Sequence, residues 1–163
     1  MKTLEKHPES EARIRFPDCD PFNHLNNSKY IDYIINARED HLLNYYDFDL
    51  HKIARESGIS WVVAQNQIAY LSPAVLMETV IIQTRLIHFD DKSLLMEAIM
   101  WDKSKTRLKA VLWSKFAHFN LRTMRSEIHS PEFTALFESL VNPLSESVSF
   151  EERTRILRQA RHA

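Results

Sequence analysis

The sequence predicts an α+β domain, in which one antiparallel β-sheet is set against a long helix and further helices follow at the C-terminal end. Two observations carry this. Residues 59–120 hold four long stretches rich in β-branched and aromatic side chains, joined by short polar connections. Ahead of them, after one early strand, residues 27–45 repeat apolar side chains at helical steps. A sheet of five antiparallel strands has a face to cover, and this helix is the only element large enough to cover it.

The early strand is "EARIRF", residues 11–16, which alternates Ala12, Ile14 and Phe16 with Glu11, Arg13 and Arg15. Pro17 and Pro21 end it. The helix starts at Asn27, with Asn26 or Asn27 as its N-cap. Tyr30, Ile31, Ile34, Ile35, Ala37, His41, Leu42 and Tyr45 form a stripe wider than a surface helix needs, so the sheet is expected to wrap it. Asp49 caps a short second helix, "LHKIARES", and Gly58 stands just past its end. The four later strands are read at 59–71, 75–89, 92–102 and 107–120. Their connections, beginning with Ser72-Pro73, are short enough to make successive strands antiparallel neighbours. In the last strand Leu108, Ala110, Leu112 and Phe116 share an inward parity. Arg107, Lys109 and Lys115 take the other face, which is expected to be at least partly wet. Residues 130–140 read as a helix with Pro131 at its first position, and residues 149–163 open with a capping box, Ser149 and Glu152.

Composition narrows the function classes. A chain of 163 residues suits one domain and buries roughly 70% of its unfolded surface. With 44% hydrophobic and 26% charged residues it is expected to fold, and a net charge of -1 argues against broad capture of nucleic acid or acidic membrane. The single cysteine, Cys19, cannot form an internal disulfide, which points to a reducing compartment. The charged N-terminus does not read as a secretory signal, and no apolar run is long enough for a membrane span, so a cytoplasmic location is the default. One glycine, Gly58, leaves no Gly-rich phosphate loop. The histidines and the cysteine lack metal-ligand spacing, and no metal is expected.

The chemistry is concentrated in "RFPDCDPFNHLNNSKYIDYIINARED", where Asp18, Cys19, Asp20, His24, Asn26 and Asn27 crowd the start of the long helix. This stretch resembles the signature of the hotdog-fold acyl-CoA thioesterases, in which a strand leads into D-x-x-x-H-x-N-N-x-x-Y and then a helix. Asp20, His24, Asn26, Asn27 and Tyr30 stand at those positions. "WVVAQNQIAYLSPAVLMETVIIQT" also looks like the family's second half, with its turn from Tyr70 to Ala74. The resemblance covers roughly residues 11–122 and is close to the long-chain acyl-CoA and 4-hydroxybenzoyl-CoA thioesterase groups. A glycine common after the family's aspartate is missing; Phe22-Asn23 stands there.

The resemblance implies a curved antiparallel sheet around a central helix over residues 1–125. A C-terminal helical extension over 126–163 would pack on the same domain. It also implies hydrolysis of acyl-CoA to acid and CoA, no cofactor beyond the CoA of the substrate, and homodimers or homotetramers with sites between subunits. Asp20 is then nucleophile or general base, a choice the residues leave open. The backbone N–H of Asn27, free at a helix start, would polarise the thioester carbonyl. His24 would orient the carboxylate or bind substrate or water. Asn26, Tyr30, Trp61 and Val63 are candidate substrate contacts, with Ile34 and Met77 beside the last two. Arg85, Lys103, Lys105 and Arg107 are candidates for the CoA phosphates.

Each role has a plainer reading. Asp20 is a loop aspartate capping its turn, His24 is satisfied within the loop, Asn26 and Asn27 are caps, and the apolar candidates are core. Asp18 either perturbs Asp20 or is exposed or paired. A Cys19–His24 nucleophile is disfavoured, because a thiolate needs an electropositive setting. A non-catalytic acyl-CoA or lipid-binding protein on the same fold is the alternative function. A hydratase ranks low, since His24 follows Asp20 by four residues rather than five and Pro21 is misplaced.

Overall fold

The computed structural model describes residues 4–160. Strand β1 (Glu9–Arg13) comes first, then a 3-10 turn at Phe16–Asp18. A second 3-10 turn, Asn27–Lys29, runs directly into α1 (Tyr30–Tyr46), which α2 (Leu50–Ser57) follows. Strands β2 (Ile59–Tyr70), β3 (Thr79–Phe89), β4 (Ser93–Asp102), β5 (Leu108–Asn120) and the short β6 (Arg125–Ser126) come next. Helices α3 (Pro131–Leu140) and α4 (Phe150–Gln159) close the chain.

The sheet is antiparallel throughout, in the order β1-β3-β4-β5-β2, with β6 on the end of β5. The hairpins β3–β4 and β4–β5 agree with the short polar turns between them. The expected pairing of β2 with β3 is wrong, because β2 pairs with β5 at the far edge. Residues 71–78 form a crossing segment and not a hairpin turn. Leu71 N–H donates to Lys109 O, Leu25 N–H to Ala74 O, and Leu76 N–H to Asn23 O. Backbone bonds therefore stitch the segment to β5 and to the loop before α1 as it passes from the β2 edge to β3 on the other side of the sheet.

Helix α1 presents Tyr30, Ile34, Ala37 and His41 as its buried stripe. The apolar members of that stripe pack on inward-facing Val80, Ile82, Met96, Ala98, Met100 and Leu112. The stripe is narrower than the sequence suggested, since Tyr45 is 45% exposed. His41 clasps the helix to two strands, with Nδ1 2.7 Å from Thr84 Oγ1 and Nε2 2.8 Å from Ser10 Oγ. Phe16 does not continue the inward parity of β1 and is 73% exposed, because Pro17 bends the chain into a 3-10 turn. The caps agree with the sequence. Asp49 accepts from Lys52 N–H, Ser130 from Phe133 N–H and Ser149 from Glu152 N–H, while Gly58 takes a φ of 76°.

The terminal helices take opposite faces of the sheet. Helix α3 lies inside, with Phe133, Phe137 and Leu140 against Trp61 and Leu86. Helix α4 covers the outside, where Phe150 and Leu157 pack on Ile99 and Val111. The outer face of β5 is buried at Lys109 and Val111 and exposed at Lys115, so it is partly wet, as expected. Glu97 is buried there and is bonded by Arg85, Trp113 and Arg153.

Candidate active site

The loop before α1 is built on Asp20. Its Oδ1 accepts the N–H groups of Phe22 at 2.9 Å and His24 at 3.1 Å. Its own N–H donates to His24 O at 2.8 Å, and its O accepts from Asn23 N–H at 3.0 Å. Asn23 takes a φ of 61°, the left-handed turn where the family's glycine is absent. Asparagine tolerates that conformation better than most side chains. The turn-capping reading of Asp20 is thus correct for one oxygen. The other, Oδ2, accepts from no group among the described residues.

Asp20, His24, Asn27 and Tyr30 line one cleft of about 200 Å³, together with Tyr70 and Ser72. Asn27 N–H, first in the 3-10 turn that feeds α1, has no acceptor among the described residues. Asn27 O accepts from Tyr70 Oη–H at 3.1 Å, which seats the turn on β2. The His24 ring makes no hydrogen bond among the described residues. Tyr30 is buried, and its hydroxyl accepts from Ala74 N–H at 3.1 Å; burial raises its pKa, so it stays a phenol. One cleft thus holds an anchored carboxylate with a free oxygen, an unpartnered backbone donor, an imidazole and a neutral hydroxyl.

The remaining candidates lie elsewhere. Asn26 is outside the cleft, and its side chain accepts from Ser28 N–H at 2.9 Å as the N-cap. Trp61 and Val63 line a second, apolar cavity of about 210 Å³ between α1, the sheet and α3. Ile34 is plain core, and Met77 is exposed. Asp18 is satisfied by Tyr33 Oη–H at 2.6 Å. Cys19 packs at the core edge, where burial raises its pKa, so it carries no thiolate character. Arg85 is paired with buried Glu97, while Lys103 and Lys105 pair with Glu11 and Glu9. Sequence reasoning missed Ser72 and Arg38. Ser72 sits in a segment read as a turn. Arg38 looked like an ordinary charge between apolar helix positions, yet it lines the apolar cavity. Among the described residues no three His, Cys, Asp or Glu side chains cluster to hold a metal ion.

A curved antiparallel sheet around one helix, with a polar cleft at the helix start, defines the hotdog class of α+β proteins. Residues 14–152 match the family model described as the thioesterase-like superfamily, and the chain belongs to that family. It is similar to the long-chain acyl-CoA thioesterase FadM of Escherichia coli, at 24% identity over 82% of this chain and 98% of that one. The fold superposes on a 1,4-dihydroxy-2-naphthoyl-CoA thioesterase from Synechocystis with a TM-score of 0.74 at 12% identity, covering 84% and 99% of the two chains. It also superposes on a Staphylococcus aureus protein solved in complex with CoA, with a TM-score of 0.77 at 13% identity, covering 92% and 94%.

Proposed function

We propose that this protein hydrolyses acyl-CoA thioesters to a free carboxylic acid and CoA, with Asp20 as the reacting carboxylate and Asn27 N–H as the oxyanion donor. The observation that carries the reading is the pairing, in one cleft, of a free Asp20 Oδ2 with an unpartnered helix-start amide. A carboxylate held by two amides keeps one oxygen aimed without losing its own turn. A thioester carbonyl directed at Asn27 N–H gains a donor preorganised for the developing oxyanion. Asp20 then deprotonates a water that attacks the carbonyl carbon, or attacks it directly to form an anhydride that water opens. In either route the C–S bond breaks and the CoA thiolate leaves and takes up a proton. His24 borders the same cleft and positions water or substrate there. The family membership and the FadM similarity support the substrate class, and no cofactor beyond the substrate's own CoA is required.

Two copies of the chain complete the proposal. Strand β2 is twelve residues long and its outer edge pairs with nothing among the described residues, while Val62 to Gln67 are exposed. A long free edge is a template for pairing with a second sheet, which supports a homodimer or a homotetramer built from such dimers. Sedimentation at micromolar protein checks this, and a monomer sinks it. The activity is tested by free-thiol release across short, long and aryl acyl-CoA substrates. Thiol release with at least one class supports the reading. Tight saturable acyl-CoA binding without release makes the protein a binding module instead.

A further inference from the structure

The apolar cavity contains a cation that the thioesterase reading does not use. Its walls are mainly Leu, Ile, Phe, Trp, Val and Met side chains, but Arg38 of α1 also lines it. The guanidinium donates to Thr84 Oγ1 at 2.9 Å and lies 6.0 Å from the centre of the Tyr46 ring. Among the described residues no carboxylate pairs with it. The titratable groups around it are neutral or turned away. His41, which shares Thr84, has its pKa held down to about 4 by burial and by Arg38 itself. Tyr46 has its pKa raised by burial. Glu39 borders the cavity but pairs with His51 at 3.5 Å, and its side chain is 41% exposed. Burial lowers the Arg38 pKa, and the Tyr46 hydroxyl, not a carboxylate, is what opposes that shift. An arginine stays charged in such a place. A buried charge without a partner is destabilising unless something supplies the counter-charge.

Helix geometry relates this cation to the cleft. Tyr30 lines the cleft and Arg38 follows eight residues later on the same helix, about 12 Å along its axis. An acyl chain that reaches from the cleft into the cavity therefore has at least this distance to span, which sets a medium chain length. The free N–H groups of a guanidinium fit a terminal carboxylate as a two-pronged pair.

We propose that Arg38 recognises a carboxylate at the distal end of the acyl chain, so that the preferred substrates are ω-carboxyacyl-CoA thioesters, the half-thioesters of dicarboxylic acids. This rests on the thioesterase reading above. Apolar walls bind the methylene chain, and the single cation selects its terminus.

The test compares thiol release from ω-carboxyacyl-CoA thioesters with that from methyl-ended acyl-CoA of equal length, from hexanedioyl to hexadecanedioyl. Wild type turns over the carboxyl-ended substrate at least about tenfold better in kcat/KM at its best length, as a charge-assisted bond allows. Arg38→Gln loses that preference, and Arg38→Lys keeps part of it. Equal turnover of the two classes by wild type overturns the proposal, as does an unchanged ratio in Arg38→Gln. The wild-type comparison decides even where a variant fails to fold. Calorimetry with monomethyl decanedioate against methyl decanoate reads the site without turnover. Wild type binds the first at least about tenfold more tightly, and Arg38→Gln does not. Such Arg38-dependent binding without any thioester hydrolysis would leave the carboxylate site standing and remove the thioesterase reading. No preference between the two esters removes the site.

Discussion

At the scale of single residues, the site depends on which oxygen and which amide are left over. Asp20 uses Oδ1 to hold its own turn and leaves Oδ2 without a partner among the described residues. The proposed mechanism uses the backbone N–H of Asn27, not its carboxamide. Asn27→Ala is therefore expected to keep turnover within a few-fold of wild type. Asn27→Pro removes the donor at a first-turn position where proline is tolerated. Asn26 already has the extended backbone, φ -62° and ψ 136°, that a following proline requires. Its steady-state kcat should fall by about 100- to 1,000-fold, the loss typical of one oxyanion donor. An unchanged kcat in the proline variant would move the oxyanion site elsewhere. The cleft that Asp20 shares with Asn27 could not be read from sequence, because an aspartate in a proline-bounded turn is ordinary turn chemistry. The freedom of one oxygen is visible only in three dimensions.

At the scale of elements, the strands, caps and helix starts were legible because each has local chemistry: alternation in β5, Ser149 with Glu152, Pro131, and Gly58 in a left-handed cap. Pairing was legible only where turns are true hairpins. The crossing of residues 71–78 escaped because its bonds reach Lys109, Leu25 and Asn23, which are close in space and not in sequence. Helix α1 is fastened to β1 and β3 through His41, whose pKa in the fold is about 4 because burial disfavours its charged form. The unfolded chain binds that proton near pH 6.5. Between these values the unfolded state holds more protons, so stability is complete above pH 6.5 and declines as pH falls towards 4. The contribution is on the order of 3 kcal/mol. Urea unfolding at pH 7 and pH 5 should show a fall in wild type that is smaller in His41→Gln. Equal slopes in the two proteins would show that His41 does not carry the effect.

For the whole molecule, the sheet works on both faces. Its inside carries the central helix, α3 and the apolar cavity, and its outside is sealed by α4 through Glu97 with Arg85 and Arg153. The sequence placed helices at the C-terminus but could not assign them to faces, since that depends on which strand residues point out at Ile99 and Val111. Glu97→Gln strips the charge from a buried carboxylate shared by two arginines and should cost about 3–5 kcal/mol of unfolding free energy. Denaturant titration measures it, and a loss below about 1 kcal/mol would mean that packing alone holds α4.

The most direct measurement is the rate of thiol release by Asp20→Asn, on acyl-CoA that wild type hydrolyses, with melting temperature and oligomeric state recorded alongside. Asparagine preserves the Oδ1 acceptor that builds the turn and removes the basic oxygen. The expected result is a drop in kcat of about 100- to 10,000-fold in a protein that folds and assembles as wild type does. A variant that folds normally and turns over at the wild-type rate would contradict the assignment of the cleft.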